Sequence, residues 1–584
     1  MFEAVEGKLR EVKVFTRPTS DGRSTVSFRT FIVEMPYHSP SDLDVGKLMA
    51  AKTMSGDYLI LEVVDYLPVH YAMLGMDGSV PIELRSELMR RIEESWAKGE
   101  SREAWIDVYA YPVGYLLRVS RDGSVSFSKG YSPPLMGSAV YVLDSGLFER
   151  FACSSSGQSI GKIMGYNVNM KVDLFSMAKY HTGIFAFTGS GKSNLISTLV
   201  RRIVNLKEEV KVVVIDVSLE YAVLLLDVLL TQDSRLAMTE RLPPSKQDAA
   251  KKMFRSHVIP EDLSDLSDSI YKGFSKLVEG KAKHLYVPAS SGQLIMTYAH
   301  LLDMIRSQIE DKYTATAQKP LFFAMLQKLD EFMRRNNLSG EDPLGEEVNG
   351  VLDEVESQAR EARLRENMSI FSFLSSIRSY LGNSPAETSE YDLEKLALEI
   401  ADPKGPKVFV VETPSVEIGR TVAGTLIERI FDIRKRAYSV KPSILFILDE
   451  AQEFIPYDTK QRDNSEFSSQ AVEKLLRHGR KYHMHGLIST QRLAYLNTNV
   501  LQQIHTYFIS TLPRPYDRQL VAETFSISDS LLDRTLDLET GQWLLISFKA
   551  ATPNEVPVFF NAENNLTELR SSLREILQVR SDPH

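Results

Sequence analysis

Residues 181–194 read HTGIFAFTGSGKSN, and this stretch decides the fold. A short β-prone run at 183–187 leads into the turn Gly189-Ser190-Gly191, and the apolar periodicity of 194–204 predicts a helix directly behind it. Strand, Gly-rich loop and helix in that order let backbone N–H groups wrap phosphates at a helix N-terminus, where the helix dipole favours anions. On this reading Thr188, Gly189, Ser190, Gly191, Lys192, Ser193 and Asn194 hold a nucleotide. Lys192 reaches the β- and γ-phosphates and Ser193 ligates Mg²⁺, so ATP and Mg²⁺ are the expected cofactors. One departure stands out: Ala186 occupies the position where the loop pattern begins with Gly, and Ala is conformationally more restricted. A plain glycine turn ahead of a helix is the bland alternative, which the strand–loop–helix context disfavours.

The other half of such a site is expected at the end of a second strand. Residues 443–450 read SILFILDE, an apolar run closed by two carboxylates. Ligands of open parallel sheets gather at the strands' C-terminal edge. Asp449 is therefore expected in the Mg²⁺ shell, directly or through water, and Glu450 as the group that orients and deprotonates the attacking water. Taken alone, an apolar run ending in Asp-Glu is usually only a strand leaving the core; the phosphate loop gives it meaning. Asp216 ends the β-branched run 210–215 and has two open readings, a carboxylate near the phosphates or a cap at a strand–helix turn. Glu453 reads as a solvated helix charge or as a supporting partner. The cation-dense segment 476–485, LRHGRKYHMH, offers Arg477 or Arg480 as an arginine finger for a neighbouring subunit's nucleotide, against a solvated basic face or a DNA-backbone contact. Thr490, Gln491 and Arg492 follow at the end of the next strand, where polar groups can sense the γ-phosphate. His478, His483 and His485 lack convincing zinc spacing and have no Cys nearby.

At 584 residues the chain exceeds one hydrophobic core and should divide into about three or four units. Its composition, 43% hydrophobic and 25% charged, is that of a soluble globular protein. The longest apolar stretch, 221–230, contains Asp227 and falls well short of a membrane span. Glu3, Glu6 and Lys8 interrupt any leader-like apolar run, and the lone Cys153 excludes an internal disulfide. These features lead us to expect a cytoplasmic protein with no membrane partner. A net charge of −9 argues against a surface that coats nucleic acid, though not against a local basic channel.

The pattern sets six segments. Residues 1–75 alternate in the β manner, with turn signals at 19–22 and 55–56, and are expected to form an N-terminal β-barrel. A mixed α/β connector follows over 76–165, including a charged amphipathic helix at 82–98. The α/β ATPase core, with a parallel sheet, is expected in two parts, 166–234 and 406–560. Between them lies a large helical insertion, 235–405, with a helix face marked by Val348, Val351, Leu352, Val355, Ala359 and Ala362 and with Pro343 among its breaks. A C-terminal helical tail occupies 561–584.

Several motifs, taken in order, resemble the HerA family of hexameric ATPases within the HerA/FtsK group of DNA translocases. They are SPPLMGSAVYVLD (132–144), IGKI (160–163), His181, TGSGKSN (188–194), Asp216 with Glu220-Tyr221, LDEAQEFIP (448–456), HGRKYH (478–483), STQR (489–492) and GQWLLISF (541–548). The resemblance covers about 1–75, 130–230 and 405–584, and the insertion matches only in being helical. It departs from the family at Ala186 and at Arg492-Leu493-Ala494, where Arg-Pro-Ser is common. The resemblance implies a RecA-like core, a homohexameric ring around double-stranded DNA and hydrolysis at subunit interfaces. It also implies a NurA-type nuclease docked on the barrel for DNA end resection and recombinational repair. Lys192, Ser193, Asp449, Glu450, Gln491 and either Arg477 or Arg480 inherit the corresponding roles. The alternatives are a related motor of conjugation, virus packaging or defence, or a nucleotide-switched assembly module that does not translocate.

Overall fold

The computed structural model describes residues 2–578 except 19–24, 38–42, 75, 77–79, 99–102, 208, 288–297, 311–317, 337, 341, 343, 363–369, 372, 375–376, 379–390, 459–464, 526, 528 and 549–550. The turn expected at 19–22 and Pro343 lie outside the described residues. The chain divides into two compact units. One comprises Met1–Val212, Leu445–Glu450 and His483–Ile576; the other comprises Val213–Ile444, Ala451–Tyr482 and Leu577–His584.

The first unit opens with seven strands: β1 (Phe2–Pro18), β2 (Thr25–Pro36), β3 (Leu48–Lys52), β4 (Tyr58–His70), β5 (Ala104–Val119), β6 (Val125–Lys129) and β7 (Ala139–Leu143). They pair antiparallel in the order β2-β1-β7-β3-β4-β5-β6. β2 also pairs with β5, setting Phe31 opposite Ala110 and Val33 opposite Val108. Six strands therefore close into a ring, with β6 outside it. The alternation of the strands turns Phe31, Val33, Met49, Leu61, Val108 and Val140 into one buried cluster. Arg10 on β1 donates two hydrogen bonds, both 2.7 Å, to the buried carboxylate of Asp107 on β5. The ring thus takes in residues 104–143, which sequence reading placed in the connector, and the boundary at 75 does not hold. Pairing between strands so distant in the chain leaves no local mark on the sequence. The amphipathic helix occupies Ile82–Lys98, as its periodicity predicted.

The remaining strands are β8 (Gln158–Ile163), β9 (Asn169–Val172), β10 (Thr182–Phe185), β11 (Val210–Asp216), β12 (Ser234–Met238), β13 (Ala282–His284), β14 (Val408–Glu412), β15 (Ser443–Leu448), β16 (Met484–Thr490), β17 (Thr506–Ile509), β18 (Gln542–Ser547) and β19 (Val558–Ala562). In the first unit the order is β15-β16-β10-β17-β18-β19-β8-β9. β10 runs parallel to both neighbours, and from β17 to β9 every pair is antiparallel. The sheet is mixed, where a parallel one was expected; antiparallel neighbours can follow each other without a crossover helix. The central strands β10, β15 and β16 are buried at every position, as continuous apolar runs covered on both faces should be.

In the second unit the order is β13-β12-β14-β11, with β12 parallel to β13 and β14. Residues 235–405 are largely helical, and Leu301, Phe322, Leu329, Leu352, Val355 and Leu374 form a buried cluster of their own. The helix Asn349–Glu361 buries Val351, Leu352, Val355 and Ala359, the face its sequence marked. The insertion is not purely helical, however, because β12 and β13 belong to the sheet. At five and three residues they are too short to carry a readable period. At the end of β14 the Glu412 carboxylate meets the His257 ring at 2.5 Å, both fully buried. Burial alone would lower the His257 pKa, but the hydrogen bond and charge of Glu412 outweigh it and raise it.

Candidate nucleotide site

The loop begins where β10 leaves the sheet between its two parallel neighbours. Ala186 N–H donates to the Thr490 carbonyl at 3.3 Å and Phe187 N–H to the Thr511 carbonyl at 3.0 Å. Gly189 and Gly191 have φ of 82° and 95°, backbone that only glycine adopts without strain. Ala186 is not among the residues of positive φ, so its methyl carries no such penalty and the departure from Gly is harmless to the loop. The Ser190 hydroxyl closes the turn on the Phe187 carbonyl at 2.7 Å. From outside, the Thr540 hydroxyl donates to the Gly189 carbonyl and Gly541 N–H to the Ser190 carbonyl, each at 3.0 Å. The helix Lys192–Val204 starts at Gly191 with no side-chain cap, which leaves its first N–H groups to an anion.

Lys192, Asp449, Glu450 and Gln491 meet at this helix start. Lys192 is 7% exposed and Asp449 4%. The Lys192 ammonium lies 2.7 Å from Glu450 Oε1 and 3.7 Å from Asp449 Oδ1. Gln491 donates its amide N–H to the same Glu450 oxygen and accepts from the Thr188 hydroxyl, so Thr188–Gln491–Glu450 form a chain across the loop. Glu450 has φ of 50°, a left-handed conformation that costs a non-glycine residue about 1 kcal/mol. Its N–H is held by Asp449 Oδ1 at 2.9 Å. This bend turns the carboxylate back toward the lysine and is the kind of local strain that marks working residues. Asp449 Oδ1 also accepts from the Ser489 hydroxyl. The Ser193 hydroxyl has no partner among the described residues. A hydroxyl and a carboxylate are hard oxygen donors that suit Mg²⁺, an ion that keeps waters and takes phosphate oxygens as its other ligands.

Other expected residues stand elsewhere. The Asn194 side chain turns from the loop to the chain's C-terminal segment, donating to the Glu563 carbonyl at 2.9 Å and accepting from Asn565 N–H at 2.7 Å. That side chain is a structural connector, a correction to its reading as a nucleotide ligand. Arg202 adds a two-point pairing with Glu568 at 2.8 and 3.0 Å. We expect Asn194→Ala to remove two hydrogen bonds, about 2 kcal/mol locally, without a change in ATP affinity. Amide exchange in the helix Asn565–Gln578 should rise about thirty-fold; unchanged exchange would refute the connector role.

In the second unit Asp216 is fully buried and accepts three backbone N–H groups, from Ser218 at 3.0 Å and from Leu219 and Tyr221 at 2.9 Å each. Of its two open readings, the geometry is that of the cap. Glu453 pairs with Arg420 at 3.0 Å. Arg477 is exposed and paired with Glu473 on its own helix at 2.7 Å, and Arg480 is exposed on the next turn. Sequence reading gave Ser489, Thr540 and Gly541 no role at the site, although Ser489 and Gly541 stand in quoted motifs. Ser489 sits one residue before Thr490 in STQR and was findable from the strand end, whereas 540–541 reach the loop only through the folded sheet.

The central-domain model of the helicase HerA matches residues 158–430, a span that opens at β8 and contains the whole phosphate loop. Over that span the chain carries the HerA central domain. Its HerA relatives include the DNA double-strand break repair helicase HerA of Sulfolobus acidocaldarius, 26% identical over 475 residues, covering 78% of this chain and 81% of that protein. The protein of the same name from Pyrococcus furiosus is 22% identical over 592 residues, covering 94% and 92%. Among solved structures, VirB4 of Thermoanaerobacter pseudethanolicus aligns at 13% identity and a TM-score of 0.41, over 71% of this chain and 98% of that one. Among the described residues no helix is long and apolar enough to cross a membrane.

Proposed function

We propose that this chain is a HerA-family ATPase that hydrolyses ATP with Mg²⁺ to drive movement along double-stranded DNA in double-strand break repair. The observation that carries the reading is Glu450, bent toward Lys192 and bridged by Gln491 at the phosphate loop. A protein that only switches between nucleotide states needs a phosphate loop, whereas one that turns over also needs a carboxylate to activate water. The names of the HerA relatives supply the DNA and the repair context. Ser193 and Asp449 would hold the Mg²⁺, which would neutralise charge on the phosphates.

In this reading the protein works in the cytoplasm as a homohexamer, and Arg477 or Arg480 completes a neighbour's site. The exposure of both guanidinium groups supports that role. A NurA-type nuclease docks on the N-terminal strand ring, whose strands close in hydrogen bonding through the pairing of β2 with β5. The two ATPase parts of this motor are proposed at 166–234 and 406–560, with the sheet strands β8 and β13 lying outside those bounds. Linear duplex DNA should stimulate steady-state ATP turnover several-fold. Turnover indifferent to DNA at low salt overturns the motor and favours the assembly switch.

A further inference from the structure

Within the second unit, β12, β13 and the helix Leu393–Ala401 line an open cleft of about 1190 Å³. Its walls carry Arg235, Arg241, Lys283 and Lys395 against one carboxylate, Glu399, in a chain whose net charge is −9. Glu399 is already committed. It accepts two N–H groups from Arg235, both at 3.1 Å, and the Tyr391 hydroxyl at 2.7 Å. Arg241 and Lys283 are exposed and make no ion pair among the described residues. Glu240, the neighbour of Arg241 in sequence, pairs with Lys252 at 3.0 Å. Burial and then the positive charges of Arg241 and Lys252 lower the pKa of His284, also in the wall. Cations gathered in one cleft raise the local concentration of anions there.

The lining is not only cationic. Tyr286 is half-buried at the cleft wall, and Arg235 lies 5.9 Å from the centre of the Tyr391 ring. Cations interleaved with tyrosine faces are the lining that tracks a sugar–phosphate backbone while bases stack beside it. Bases are available for stacking on an unpaired strand and hidden inside a duplex. We propose that this cleft is a second nucleic-acid contact, separate from the nucleotide site, and that it takes a single strand through Arg241, Lys283 and Tyr286. The proposal rests on the DNA-motor reading for its class of ligand and adds the strandedness and the place.

The test is the binding of labelled oligothymidylate to the full chain across a salt series. Arg241→Glu/Lys283→Glu should weaken binding at least ten-fold and reduce the salt slope by about 1.4, two phosphates at 0.7 each. Tyr286→Ala should weaken binding about ten-fold with the slope unchanged, because stacking releases no counterions. None of these residues lies in the nucleotide site, so ATP turnover without DNA checks folding in every variant. Wild-type affinity and slope in the double variant overturn the proposal. Equal competition by polyglutamate at matched charge overturns it too, since that would be a site for any polyanion. If duplex stimulates the wild type and the double variant still binds oligothymidylate normally, the cleft fails while the motor stands. If duplex has no effect on the wild type, the motor reading itself fails.

Discussion

Glu450→Gln is expected to stop ATP turnover while leaving ATP bound. The side chain keeps its shape and its contact with Gln491, but the amide cannot take a proton from water, a function worth about 10²- to 10⁴-fold in rate. The substitution also frees Lys192, which in the structure spends its closest contact, 2.7 Å, on the Glu450 carboxylate. Affinity for ATP should therefore hold or tighten as kcat falls at least ~100-fold. Steady-state turnover and equilibrium binding of a fluorescent ATP analogue separate the two effects. Full turnover in this variant would remove Glu450 from the chemistry.

Lys192→Ala should lose both binding and turnover. The lysine is nearly buried and is the cation shared by Asp449 and Glu450, at 3.7 and 2.7 Å. Removing it takes a positive charge from the β- and γ-phosphates and leaves two adjacent carboxylates facing the same anion. A fall in kcat/KM of at least ~100-fold is expected, the scale of losing one preorganised donor to developing charge. The fall should come largely through KM, in contrast to Glu450→Gln. A variant that binds ATP normally and fails only in turnover would mean that Lys192 acts on the transition state alone.

The parts of this site legible in sequence are those whose meaning is local. A strand, a glycine turn and a helix follow one another within 181–204, and an apolar run ends in Asp449-Glu450. Ala186 looked like a defect until its backbone was seen to need no glycine. What stayed hidden depends on contacts between distant residues. The closure of β2 on β5 has no signature in either strand, and the three residues of β13 are too few to show a period. Asn194 was misread because its neighbours in sequence are phosphate ligands while its side-chain partners lie 369 and 371 residues away. Asp216 sat between two readings because a capping carboxylate and a catalytic one occupy the same place at a strand end. Only the three N–H groups on it decide.

The link from Asn194 to Glu563 and Asn565 also sets an order of events during synthesis. Translation delivers the loop and its helix long before the segment that fastens them, and β18, whose leading Gly541 braces Ser190, likewise emerges late. A chain still on the ribosome has every phosphate ligand and none of the far-side support. Loss of residues beyond about 560 by a late stop or a protease would leave the catalytic groups intact while loosening the helix that aims them.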